Sequence, residues 1–208
     1  MHAADSIRTM IMGGQLRPGD RLNESWLAAE LDVSRNTLRE AFRLLTNEGL
    51  VTHEVNRGVQ VSSLSIASVV DMYRVRQLVE VNILREALLR HPAGARMRSA
   101  VDKAFLARED GDWIRVAIAN LDFHRAIVGL ADSPRLSRMF ETVAAEMRLA
   151  FSVIDDPEFL HSPYIEFNDQ IVTAFERGET ERAATLLEAY LMRSERVVLA
   201  AYGRTSIG

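Results

Sequence analysis

The 208-residue sequence has no cysteine. Disulfides and thiolate metal sites are therefore excluded, and a reducing cytoplasm is the expected home. Proline and glycine are sparse, at five and eleven residues, and no Pro-, Gly- or Ser-rich linker, low-complexity tract or internal repeat is visible. No apolar run approaches the ~20 residues that a membrane-spanning helix needs, so no membrane partner is expected. Met1-His2-Ala3-Ala4-Asp5 lacks the basic-then-apolar pattern of a secretory signal. An excess of positive charge is also missing. The net charge is −4, so any nucleic-acid role must rest on a local patch. The common catalytic signatures are absent: no glycine-rich phosphate loop, no GxSxG elbow and no HExxH. The five histidines, at 2, 53, 91, 124 and 161, do not pair at ligand spacing. No catalytic residue is assigned, and no organic cofactor is expected.

What is present is mostly helical pattern. The chain is 48% apolar and 26% charged, ordinary for a globular protein. Arg17-Pro18-Gly19-Asp20 marks a turn. Periodicity predicts helices at about 3–13, 24–31 and 35–48, then a hairpin at about 51–61. After Ser62-Ser63-Leu64-Ser65 a long helical region follows, with breaks near 91–94, 110–112, 131–134, 155–157 and 177–179. The division is an N-terminal unit at 1–64 and an all-helical unit at 65–208, a mainly α chain.

In the second N-terminal helix, Leu38, Ala41, Phe42 and Leu45 recur at i, i+3, i+4 and i+7, a buried stripe. Ser34 is a good cap for its start. The opposite face carries Arg35, Asn36, Arg39 and Arg43. Residues 1–65 hold seven arginines and eight acids, a net of −1, so only this face is basic. A tight turn between Leu27–Leu31 and Ser34 makes a helix-turn-helix. Val51–Glu54 and Gly58–Val61 flank Asn56-Arg57-Gly58 as a hairpin wing. Periodicity alone is equally compatible with a helical hairpin bearing solvated arginines. All basic residues but Lys103 are arginine, which suits two-pronged recognition of bases and phosphates, although codon bias gives the same result.

The stretch from Ile7 to Val61 resembles the DNA-binding domain of the GntR family. The matching pieces are Gly14 to Leu22, Leu27-Ala28, Val33 to Ala41, Glu48-Gly49-Leu50-Val51 and Asn56-Arg57-Gly58, in order and at the family's spacing. Asp32 stands where the family often has Gly, and Asp tolerates a left-handed turn better than most residues. The resemblance implies that Arg35 and Arg39 enter the major groove, where arginine pairs with guanine O6 and N7. It implies that Asn36 and Thr37 contact phosphates or bases, and that Arg57 and Gly58 reach the minor groove. Ser25 replaces an arginine found in the family's fatty-acid regulator. Glu24 and Glu40 are read as braces for the arginines.

Residues 66–208 resemble the FCD effector-binding domain of the FadR subfamily, an antiparallel helical bundle. The matching pieces are Val75-Arg76 with Glu80 four later, Phe123 to Ile127, Ser133-Pro134-Arg135-Leu136, and Ile171 through Arg177-Gly178-Glu179 to Ala183. Many members hold a divalent metal through an Asp and three His. Of those positions only His124 is kept; the others are Asn120, Asn168 and Tyr190. Amide oxygens and a phenol are poor ligands for Zn²⁺ or Ni²⁺, so the site is degenerate and a divalent metal is not expected. Asp122, two residues from His124, points elsewhere on the helix. A lone His on such a helix is also compatible with a satisfied polar residue at the core edge. The family positions imply instead that Asn120, His124, Asn168 and Tyr190 face one cavity and bind a small polar or carboxylate effector, with Arg76 as anchor. Arg148 is a second candidate anchor, or simply a surface arginine. Met72, Met147, Phe151 and Phe175 are read as packing.

These readings converge on a homodimeric, ligand-responsive regulator that binds a short palindromic operator, a repressor of a metabolic operon. The alternatives are an architectural DNA-binding protein with a vestigial effector domain, or a helical metal-dependent enzyme.

Overall fold

The computed structural model describes residues 3–54 and 58–205. Three helices come first: α1 (Ala3–Met12), α2 (Glu24–Glu30) and α3 (Arg35–Asn47). The Asn23 side chain accepts hydrogen bonds from the Ser25 and Trp26 amides, and Ser34 accepts one from Thr37, so the starts of α2 and α3 are each fixed by a side chain. The turn between α2 and α3 passes through Asp32 at φ +49°. This is the left-handed geometry that a Gly-for-Asp comparison anticipates.

Strands β1 (Val51–Glu54) and β2 (Gly58–Val61) pair antiparallel, Val51 opposite Val61 and Glu54 opposite Gly58. The turn before α2 lies along the free edge of β2: the Leu22 amide donates to the Val59 carbonyl, and the Val61 amide to that of Asp20. Gly58 has φ +81°, open to glycine at no steric cost. The expected wing-tip residues Asn56 and Arg57 lie outside the described residues.

The second unit contains α4 (Ile66–Arg76), a π-helical turn (Gln77–Val81), α5 (Asn82–Arg85), α6 (Pro92–Glu109), α7 (Trp113–Gly129), α8 (Pro134–Phe151), α9 (Pro157–Glu176) and α10 (Thr180–Thr205). Proline opens α6, α8 and α9, where its missing N–H has no helical partner to lose. α7 is the central helix; Asn120, Phe123, His124 and Ile127 are all buried on it. Met72, Met147 and Phe175 are core residues, as the periodicity implies.

The two units share a seam. Ala145 and Leu149 of α8 belong to the apolar core of the first unit, together with Ile7, Ile11 and Leu45. Met12 packs in return against a core cluster of the bundle. Arg17 and Asp155 add an exposed ion pair at 3.2 Å. No helix among the described residues is long and apolar enough to cross a membrane.

Candidate functional site

The first site is the outer face of α3. Leu38, Ala41, Phe42 and Leu45 bury the inner face, which leaves Arg35, Asn36, Arg39 and Arg43 in solvent. Arg35 donates to the Ser25 hydroxyl at 3.2 Å, and Arg39 to Glu24 at 3.2 Å. Arg43 pairs with Glu40 at 3.1 Å. Glu24 and Glu40 therefore brace arginines, as the sequence suggests. The Thr37 hydroxyl lies 2.8 Å from that of Ser34, next to the cap of the same helix. Between α3 and the wing runs a groove of about 520 Å³, lined by Arg39, Arg43, Asn47, His53 and Val59 among others. Convex helix, adjacent groove and exposed guanidinium groups form a surface that an anionic duplex can approach.

The second site is inside the bundle. Arg76, Asn120, His124, Asn168 and Tyr190 come from α4, α7, α9 and α10, and all are buried. One polar cluster joins them. The Arg76 Nη2 lies 3.0 Å from His124 Nε2, and the Tyr190 hydroxyl 3.1 Å from the same nitrogen. Tyr190 donates to Asn120 Oδ1 at 3.0 Å, and Asn168 Nδ2 donates to that oxygen at 2.8 Å.

A residue with no assigned role in the sequence reading completes this cluster. Glu80, fully buried in the π-helical turn, accepts from Arg76 Nε at 2.8 Å and from His124 Nδ1 at 2.5 Å. The expected set of Asn120, His124, Asn168 and Tyr190 with Arg76 as anchor therefore also contains Glu80, already ion-paired to that anchor. The signal was in the sequence, since Arg76 and Glu80 stand four apart and meet on one helix face. Burial alone would raise the Glu80 carboxyl, but Arg76 and then His124 outweigh it and hold it below the usual range. Burial holds His124 below the ordinary imidazole value, against the pull of Glu80. A guanidinium only donates, so His124 Nε2 must accept, and the proton sits on Nδ1 toward Glu80. His124 is a neutral imidazole with one defined tautomer. Two buried atoms in the cluster have no partner, Arg76 Nη1 and Asn168 Oδ1.

These residues do not fit a divalent metal. A guanidinium stands against the one imidazole nitrogen that would face the ion, and Asn120 Oδ1 is already used twice. Among the described residues no three His, Cys, Asp or Glu gather in a metal-holding group. Asp122 is turned away and pairs with Arg125 at 3.0 Å. Arg148, the second candidate anchor, makes no hydrogen bond or ion pair with this cluster among the described residues. It lines a narrow cleft of about 20 Å³ with Met12, Leu121, Phe151 and His161.

Comparison with known proteins decides the family. Residues 1–61 match the model of bacterial regulatory proteins of the gntR family, and residues 71–193 match the FCD domain. The chain belongs to the GntR family of bacterial transcriptional regulators. Over 145 residues it is 34% identical to the Nta operon transcriptional regulator of Aminobacter aminovorans, covering 68% of each chain. Over 186 residues it is 28% identical to a probable D-xylose utilization operon transcriptional repressor of Paenarthrobacter nicotinovorans, covering 86% of this chain and 79% of the other. A solved structure of a GntR regulator from Rhodococcus sp. RHA1 superposes with a TM-score of 0.86 at 38% identity, over 96% of both chains. The regulator's architecture is therefore a winged helix-turn-helix head on a helical FCD bundle, and its function is transcriptional regulation, not catalysis.

Proposed function

We propose that the regulator binds a short palindromic operator as a homodimer in the cytoplasm and represses a metabolic operon. A small polar metabolite held in the bundle would alter the placement of the two heads. The observation that carries the DNA half is the exposed Arg35–Asn36–Arg39 face of α3 beside the wing. One such helix reads only a few base pairs, so twofold symmetry is the simplest source of a usable specificity. Arg35 and Arg39 read base edges, Asn36 and Thr37 fix the helix on the backbone, and Gly58 lets the wing approach closely. Arg57 would reach the minor groove. The named repressor among the relatives supports repression. The buried polar cluster with two unpartnered atoms supports an effector site in the bundle. Its donor set argues that the effector binds without a structural divalent metal.

Operator-binding isotherms test this reading. Arg35→Ala and Arg39→Ala should each cost about 1–3 kcal/mol and relax base preference. Wild-type binding by both variants, or a strict monomer on DNA by sedimentation, would refute it. Elemental analysis of protein never exposed to chelator should find no stoichiometric Zn²⁺ or Ni²⁺. One equivalent lost on His124→Ala would restore a metal-dependent site.

A further inference from the structure

The charge inventory of the buried cluster says what kind of molecule it accepts. Arg76 carries one positive charge, and Glu80 cancels it from 2.8 Å inside a fully enclosed environment. His124 is kept neutral by burial and by the Arg76 guanidinium against its Nε2, although Glu80 pulls the other way. Asn120, Asn168, Tyr190 and Tyr73 complete the polar surroundings. Tyr73 is fully buried and bonded to Ser194 at 2.6 Å, and burial raises both phenols, so neither ionises. The cluster is therefore electrically closed before anything binds. Among its own residues it leaves open one donor, Arg76 Nη1, and one acceptor, Asn168 Oδ1, and the buried Tyr164 hydroxyl lies beside them on a ring 4.7 Å from that of Tyr190. Buried polar atoms without partners point to a missing water or ligand.

We infer that the effector site selects a net-neutral ligand that offers an acceptor to Arg76 and a donor to Asn168, such as a hydroxyl or amide compound, and rejects a simple carboxylate. This rests on the reading of the cluster as the effector site. A carboxylate at Nη1 would leave the enclosed cluster with an uncompensated negative charge, and burying an unpaired charge is strongly unfavourable. It also has no proton to give Asn168 Oδ1. A hydroxyl or amide carries both an acceptor and a donor and leaves the charge count unchanged. The expectation that Arg76 waits as a free anchor for a carboxylate is thereby replaced: Glu80 already fills that role.

The test uses an isosteric pair of probes, acetamide and acetate, on the full-length protein at constant ionic strength. They differ by charge and by the presence of an N–H donor. Acetamide should raise the Tm of the wild type by about 2–4 °C at a few multiples of its Kd, and acetate should not. Asn168→Leu should abolish the acetamide shift. Glu80→Gln removes the internal counter-charge and should reverse the order, so that acetate becomes the stabiliser. If acetate stabilises the wild type and the shift is lost in Asn168→Leu, the neutral-ligand inference fails while the effector site stands. If neither probe shifts the wild type or Glu80→Gln, the effector-site reading itself fails. Should Glu80→Gln not fold by circular dichroism, the order of the two probes on the wild type still decides.

Discussion

In the head, Arg35, Arg39 and Arg43 stand in solvent and lean on Ser25, Glu24 and Glu40 at 3.1–3.2 Å. In the bundle, Arg76 is wholly enclosed and bonded to Glu80 and His124. The same side chain thus serves two ends. Exposed ion pairs contribute about 0–1 kcal/mol each, so a DNA duplex can exchange them for phosphates and bases at little cost. A buried pair is different. Its partners were desolvated on folding, and removing one leaves the other charged and stranded. Polarity in the head is available to a partner, whereas polarity in the bundle is part of the fold, with Arg76 and Glu80 already committed to each other.

The largest effect should come from stranding Arg76. Glu80→Ala is expected to cost about 3–5 kcal/mol in denaturant unfolding. The folded fraction should still bind operator with near wild-type affinity, because no head residue among the described ones bonds to the cluster. A loss below about 1 kcal/mol would show that the pair is not the closed unit described above.

Next comes a pH effect confined to the bundle. His161 is buried against Phe151, and burial pushes it down to about 4. An unfolded histidine titrates near 6.5, so the unfolded state takes the proton first as pH falls. Stability should therefore decline between about pH 6.5 and pH 4 and level off below, by at most about 3 kcal/mol from this residue. His124 is lowered in the same direction and adds to the slope. His161→Leu should flatten the curve. Parallel stability–pH curves for variant and wild type would remove His161 from the account.

The head was largely legible in the sequence because its signals are local. The Leu38–Ala41–Phe42–Leu45 stripe, the Ser34 cap and the Asp32 turn are each decided within a few residues, and each appears in the structure. The bundle's helices were legible for the same reason, with proline or a polar cap at most starts. Gathering Arg76, Asn120, His124, Asn168 and Tyr190 depended on the family likeness, since no periodicity joins positions more than a hundred residues apart. Glu80 shows the limit. Its helical spacing from Arg76 is plain, but spacing cannot distinguish a solvated pair from a buried one. Only the packing of α7 and α10 over the π-helical turn makes that difference.

A smaller effect returns to the head. Glu24→Gln frees Arg39 from its 3.2 Å partner and removes an anion from the DNA-facing groove. Non-specific binding should tighten, since repulsion of phosphate falls. Specific binding should gain less, because the arginine loses the brace that orients it. The ratio of specific to non-specific affinity is expected to narrow by about 2–5-fold, with stability changed by under ~0.5 kcal/mol. An unchanged ratio would mean that Glu24 does not orient Arg39 on DNA.

The smallest effect tests the seam, where the two kinds of arginine meet. Arg148 of α8 is half-buried, and no carboxylate among the described residues lies within ion-pair distance of it. Burial, then Arg125 and Arg8, lower it to about 10. At neutral pH it stays charged, partly enclosed, with Glu141 and Glu48 acting on it only from a distance. Replacing a partly buried charge without a close counter-ion by an apolar chain of similar length is often neutral or stabilising. Arg148→Met should therefore leave stability unchanged or raise it by about 1 kcal/mol, measured by urea unfolding at pH 7. The methionine would extend the apolar contacts of Met12, Leu121 and Phe151 that already line the cleft. A clear loss of stability would have a specific meaning. The hydrocarbon stem of Arg148 would then be sealing head to bundle, with the guanidinium carried in water. The seam would follow the rule of the head, where arginine charge is solvated, rather than that of the bundle core.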